Sequence, residues 1–282
     1  MCSSDLRYVL FAAPVARLAG VPIILWYAHG TADRALRLAM PFVDRVVTPT
    51  RDSFPLAGPG IDGKVRVTGH GIDVMRHAPG GAVAEPGLVL SAGRLSPVKR
   101  HELAIEAVNG GPEGSRLVIA GSPLHAGDVA YRNHLVSKSA FEHSPSPSRR
   151  HMPWEEGTPN QVGLISFVGD VAYREMPATY RRAWVLAHAS RTGSLDKVVL
   201  EAAACGTPVV ASDIPPVVEA VGDAAELVTP DNVFDIARGL RSLLSDAARR
   251  ESLSLAGLKR ASTFRWEVTA RQVAGIYSEL IN

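Results

Sequence analysis

The chain is poor in cysteine: only Cys2 and Cys205 occur among its 282 residues. That excludes a disulfide framework and a thiolate zinc site, and it fits a reducing, cytoplasmic setting. Excess charge is also lacking. A formal net charge of +2 gives no general affinity for nucleic acid. No long apolar run survives inspection either. The stretch YVLFAAPVARLAGVPIILWYA (8–28) is split by Arg17 and punctuated by Pro14, Gly20 and Pro22, so it reads as helix, turn and buried strand rather than signal peptide or membrane span. No Gly-x-Gly-x-x-Gly follows a strand, which argues against a dinucleotide oxidoreductase. The segment GPGIDGKV (58–65) has Val65 where a P-loop needs Ser or Thr, and it precedes a strand instead of following one. HELAIEA (101–107) lacks the second histidine of a zinc helix.

What is present is ordinary globular material, 46% hydrophobic and 21% charged. Residues 1–80 carry nine Lys/Arg against six Asp. This mildly basic surface reads first as a solvated face, and second as one able to rest peripherally on anionic lipid. The opening MCSSDL fits nothing that follows, and the N-terminus is read as truncated.

From Val9 onward, helical periodicity alternates with short apolar runs. Helices at about 9–19 and 32–40 separate strands at 22–28, 44–50 and 64–69. The segment APGGAVAEPG (78–87) is a linker. A second series places strands at 87–92, 115–120, 163–168, 184–189, 207–211 and 224–228. Helices begin near 97, 128, 174, 196 and 215, and three more follow at about 231–245, 246–262 and 266–281. Alternation of this kind predicts an α/β fold with doubly wound parallel sheets. The Ser/Pro-rich run 138–161 breaks the rhythm and reads as a mobile surface insertion.

Open parallel sheets bind ligands at the carboxyl ends of their strands. There, GRLSPVK (93–99) offers a sharp exit at Gly93, Arg94 at the strand tip, a Ser96 N-cap and Lys99 in the following turn. Two cations beside a helix N-terminus suit a phosphate or diphosphate; a solvated basic turn is the alternative. Glu201 stands among Ala202, Ala203 and Ala204 on a helix that Asp196 can cap. A buried acid requires partners. Neighbouring hydroxyls such as those of a ribose would serve, as would an internal salt bridge.

GRLSPVK (93–99), LEAAACGTPVVAS (200–212), FRWEVTARQVAGIY (264–277) and the hinge-like GHGIDVMRHAPG (69–80) together resemble the retaining glycosyltransferases of family 4. The resemblance implies a GT-B fold of two Rossmann-like domains, the first incomplete. Its boundaries would be a partial acceptor-side domain over 1–78, a donor-binding domain over 79–265, and a helix over 266–282 crossing back to the first domain. It implies transfer of a sugar from a nucleoside-diphosphate sugar to an unknown glycan, lipid or small-molecule acceptor. No cofactor or metal is expected, and no Asp-x-Asp motif supports a metal-dependent route. By position, Arg94 and Lys99 would contact the diphosphate and act in catalysis, with His29 facing the donor sugar. Glu201 would hold the ribose, and VGDV (168–171), with Gly169 and Val171, would lie by the base. Gly71, Gly93, Gly193, Ser194, Leu195, Asp196 and Val198 complete the expected donor-binding set.

The sequence departs from the family pattern at three places. Gly193 occupies the position of the first glutamate of an acid pair eight residues apart, whose second member is Glu201. His70 replaces a usual Asn, and Ala78 with Pro79 stands where Phe-x-Pro is common. Two alternatives remain at this stage: a nucleotide-sugar 2-epimerase of the same fold, and an inactive nucleotide-sugar-binding fragment.

Overall fold

The computed structural model describes residues 5–56, 58–81, 83–141, 160–162, 164–191 and 195–281. Contacts divide the chain into two units. One comprises Met1–Ile72, Thr192–Asp196 and Thr263–Asn282; the other comprises Asp73–Arg191 and Lys197–Ser262.

The first unit opens with α1 (Asp5–Leu18), followed by β1 (Ile24–Trp26), α2 (Arg34–Ala39), β2 (Arg45–Thr48) and β3 (Val65–Val67). The three strands form a parallel sheet in the order β1-β2-β3. Asp33 caps α2, its Oδ1 accepting from Leu36 N at 2.8 Å. A small core of Leu6, Leu25, Tyr27, Leu36, Met40, Val43, Val46 and Phe54 holds the layers together.

The second unit carries β4 (Leu88–Ala92), α3 (His101–Asn109), β5 (Arg116–Ala120), α4 (Ala126–Phe141), β6 (Asn160–Val162), β7 (Ile165–Gly169), α5 (Met176–Arg182) and β8 (Val185–His188). It continues through α6 (Lys197–Ala204), β9 (Val209–Ser212), α7 (Pro215–Val221), β10 (Glu226–Val228), α8 (Val233–Ser245) and α9 (Ala247–Ala261). The final helix, α10 (Trp266–Ile281), belongs to the first unit. There the Thr269 hydroxyl donates to Thr68 O at 3.4 Å, and Arg66 reaches Glu279 at 3.3 Å.

The seven strands of the second unit run in the order β10-β9-β8-β4-β5-β7-β6. All pairings are parallel except β6 with β7. Strands β4, β8 and β9 are buried at every residue, as a sheet covered on both faces requires, which explains their unbroken apolar runs. Strand β6 is a departure from the sequence reading. Asn160 and Gln161 fall inside the run expected to be an irregular insertion, yet they pair with Phe167 and Ser166. At the other end of that run, residues 138–141 continue α4; residues 142–159 lie outside the described residues.

The chain builds β4, β5 and β7 to one side and then crosses β4 to place β8 on the other. The switch point between β4 and β8 opens a crevice at the carboxyl edge, where such sheets bind ligands.

Candidate functional site

Three glycines clear the floor of that edge. Gly93, Gly121 and Gly169 follow or end β4, β5 and β7, all with positive φ (139°, 149° and 69°). The tightest is Gly121, where a Cβ would stand 1.9 Å from Gly93 O. No other residue fits such an approach. Hydrogen bonds lace the exits together: Gly93 N donates to Ala120 O at 2.9 Å, Leu95 N to Ser122 O at 3.1 Å, and Gly121 N to Gly169 O at 2.7 Å.

Above Gly93 and Gly121 lies a cleft of about 420 Å³, whose lining does not include Gly169 or Lys99. Its walls include Gly93, Arg94, Val171, Val198 and Glu201 from the expected set, joined by Asp170 and Tyr180. A second cleft of about 320 Å³ includes Arg181, Trp184 and Arg250 in its lining. Its arginines donate to the carbonyls of Ala78, Leu243 and Leu244, which leaves the carboxyl-edge cleft as the candidate.

Arg94 is about half exposed at the cleft wall, its Nε 3.8 Å from Asp128 Oδ2. The Lys99 stem runs over Gly93, with Cε 3.6 Å from the position a Cβ there would take. The local structure of this turn differs from expectation. Pro97–Lys99 forms a single 3-10 turn, and Lys99 N is already bonded to Ser96 O at 2.9 Å. Ser96 has an extended, cap-like backbone, but its side chain makes no capping hydrogen bond.

Arg100, left-handed at φ 55°, then interrupts the path, and α3 begins only at His101. Ion pairs of 2.7 Å from Arg100 to Glu102 and Asp231 hold that uncommon conformation. Arg191 reaches Asp231 as well, at 2.9 Å. The first amide of α3 is taken by the Tyr131 hydroxyl at 2.9 Å. The two cations therefore act as side chains, without an open helix end beside Lys99.

His101, rejected above as a zinc ligand, has a structural task here. It is buried, with Nδ1 2.8 Å from Ser91 Oγ and Nε2 3.2 Å from Arg94 O. The carbonyl can only accept, so Nε2 carries the proton and Nδ1 accepts from Ser91. Burial pushes the imidazole down to about 4, and the neutral ring anchors the backbone of Arg94.

Glu201 is buried in α6. Its Oε2 accepts from Tyr180 Oη at 3.1 Å, and His77 Nε2 lies 3.9 Å from the same oxygen. Neither residue entered the sequence reading as a partner. Tyr180 has no motif around it, while His77 sat unexamined inside the hinge-like segment. Packing of α5 on α6 makes the pair.

The remaining expected residues are scattered. Leu195 is buried and Asp196 immediately precedes α6. Gly193 and Ser194 lie outside the described residues. His29 is an exposed residue of the first unit, its ring edge-on to Tyr27 at 5.6 Å. Gly71 is also in the first unit, where a Cβ would fall 2.6 Å from the Trp266 ring; close packing accounts for that glycine. Among the described residues, no group of three or more His, Cys, Asp or Glu could hold a metal, and no helix is long and apolar enough to cross a membrane.

The parallel sheets and the glycine-floored carboxyl edge define an α/β protein of the GT-B glycosyltransferase fold. Residues 76–260 match the family described as "Glycosyl transferases group 1", and the chain belongs to that family. It is 30% identical over 233 residues to D-inositol 3-phosphate glycosyltransferase of Stackebrandtia nassauensis, covering 77% of this chain and 49% of that one. It is 32% identical over 181 residues to O-antigen chain mannosyltransferase B of Escherichia coli, covering 58% and 48%. The chain thus spans about half the length of these curated relatives. Among solved structures it resembles Anabaena HepE in complex with UDP, with a TM-score of 0.83 and 20% identity, over 97% of this chain and 77% of that one. HepE has also been solved with UDP-glucose.

Proposed function

We propose that the carboxyl-edge cleft of the second unit binds a nucleoside-diphosphate sugar, and that the protein transfers the sugar to an acceptor with retention, as a family 4 glycosyltransferase. The observation that carries the reading is the cleft itself. A glycine floor admits a ligand's backbone-hugging groups, Arg94 stands at one wall, and a buried carboxylate stands at another. A diphosphate needs cations and a ribose needs an acceptor for paired hydroxyls; Arg94 with Lys99, and Glu201, supply them.

In this mechanism the donor binds with its diphosphate against Arg94 and Lys99. As the glycosidic bond breaks, negative charge grows on the leaving diphosphate, and two fixed cations lower the barrier by meeting it there. The leaving group takes the acceptor's proton, so no protein nucleophile and no resident metal is required. Glu201, held by Tyr180, fixes the ribose and thereby the register of the diphosphate. Val171 lies beside the base. His29 is assigned to the sugar by the family resemblance, as are Gly193 and Ser194. The chain is assigned to the cytoplasm, with peripheral membrane contact through its basic first eighty residues. The acceptor class stays open among glycans, lipids and small molecules.

Calorimetric titration of the chain with UDP, GDP and ADP tests the reading. UDP is the first choice, given the HepE complexes. Binding of one nucleotide, weakened by both Arg94→Ala and Glu201→Ala, is the expected result. A folded chain that binds none of the three would sink it.

A further inference from the structure

The Glu201 oxygen that accepts from Tyr180 also meets a histidine that the donor-site reading leaves without a task. The His77 side chain is fully buried. Its Nδ1 lies 3.1 Å from Asp73 O, and its backbone N donates to the same carbonyl at 2.8 Å. A carbonyl oxygen only accepts, so Nδ1 carries the ring proton. In the neutral ring Nε2 is then a bare lone pair. That atom is buried, makes no hydrogen bond among the described residues, and stands 3.9 Å from Glu201 Oε2.

Two electron-rich atoms facing each other at that distance do not attract. A proton added at Nε2 reverses the sign of the contact, because it places an N–H and a full positive charge against a buried carboxylate. The other charged and titratable groups near the ring are Asp73, Arg76, Tyr173, Tyr180 and Arg181 of α5, which donates to the adjacent Ala78 O at 3.0 Å. Asp73 and Arg76 belong to its own segment, where they pair with each other at 3.3 Å. Tyr173 and Tyr180 pack their rings at 5.3 Å and 6.0 Å, and Arg76 lies over Tyr173. Burial raises the Tyr173 hydroxyl above its ordinary value, and Glu201 and Asp73 add to the rise. It therefore stays neutral across the range in which histidine titrates. Among the described residues, Glu201 is the carboxylate that Nε2 approaches, at 3.9 Å.

We propose that His77 is a positioning residue for Glu201, and that its protonation draws Oε2 away from the nucleotide ribose, so that donor affinity falls as the medium acidifies. With His77 neutral, the carboxylate accepts from Tyr180, and Nε2 offers it no N–H to turn toward. With His77 charged, the same carboxylate closes onto Nε2. No bond to carbon is made or broken; a single proton moves between solvent and the ring. This inference rests on the donor-site reading, since it concerns the residue assigned there to the ribose.

The test is the affinity of UDP-glucose, measured by calorimetry on the whole chain at a series of pH values between about 8 and 5. The wild-type chain should bind roughly fivefold or more weakly at the acid end, as expected when one histidine proton must be released. Two variants remove the Nε2 end by different routes. His77→Phe keeps the ring volume, and His77→Asn keeps a short donor toward Asp73 O. Both should flatten the pH profile, a change that a merely structural role would not produce. Circular dichroism establishes that each is folded, and either folded variant suffices.

A wild-type profile that is already flat overturns the inference, as does a slope that persists in a folded variant. If wild-type chain binds no UDP-glucose at any pH, the donor-site reading falls first and His77 loses the carboxylate it was to position. If binding is present and weakened by Glu201→Ala while the variants keep the wild-type slope, only the role of His77 is lost.

Discussion

Replacing His101 should change how the second unit responds to acid. Its imidazole is buried, donates to Arg94 O and accepts from Ser91. Burial holds it down at about 4, against 6.5 for an ordinary histidine. Between those two values the unfolded chain binds a proton there and the folded chain does not. Acid therefore favours the unfolded chain. The stabilisation is complete above about pH 6.5 and is withdrawn as the pH falls toward 4.

At about 1.4 kcal/mol per pH unit, the gap from 6.5 to about 4 amounts to about 3.5 kcal/mol at full titration, of which about 3 kcal/mol is withdrawn by pH 4. His101→Gln retains an amide donor for Arg94 O and cannot titrate. Urea unfolding over this pH range, with pulsed hydrogen exchange reporting on β4 and α3, should show the wild type losing about 3 kcal/mol more than the variant. Equal losses would refute the assignment of a buried neutral imidazole to the Arg94 anchor.

Other consequences are equally concrete. Gly121→Ala drives a Cβ into Gly93 O at a positive φ, so it should destabilise the second unit by at least about 3 kcal/mol in denaturant unfolding. Arg94→Ala leaves the core intact and should weaken UDP binding roughly 10- to 100-fold by calorimetry, the worth of one charge-assisted contact. Asp246 caps α9 through Arg249 N at 2.9 Å; Asp246→Ala should cost about 1 kcal/mol, seen as a drop of about 2–4 °C in the Tm of the second unit.

Much of the fold was legible in the sequence because the strands are buried on both faces and so read as uninterrupted apolar runs. VLAH at β8 and VVAS at β9 needed no alternation to be found. Strand β6 was hidden because a short antiparallel edge strand of Asn, Gln and Val beside a Ser/Pro-rich run carries no period. The helix start at His101 was misread for a different reason. The left-handed Arg100 depends on ion pairs to Glu102 and Asp231, the latter 131 residues away, and no local pattern encodes that.

The cleft follows the same division. Gly93, Arg94 and Glu201 were visible as unusual residues at strand exits or on an apolar helix face. Tyr180 and His77 were not, since their relation to Glu201 exists only once α5 and the hinge segment pack on α6.

The path of the chain has one more consequence. The first unit is left at Ile72, rejoined briefly at Thr192–Asp196 and resumed at Thr263, with α10 among its parts. On the ribosome, the whole seven-stranded sheet has been synthesised before α10 appears. The second unit can therefore close its core while the first still waits for its last helix. Until then Gly71 lacks the Trp266 ring that packs on it, and Thr68 O lacks the Thr269 hydroxyl. Maturation of this chain should end at the small three-stranded sheet. A nascent chain stalled just before α10 should yield a protease-resistant second unit beside a first unit still open to cleavage.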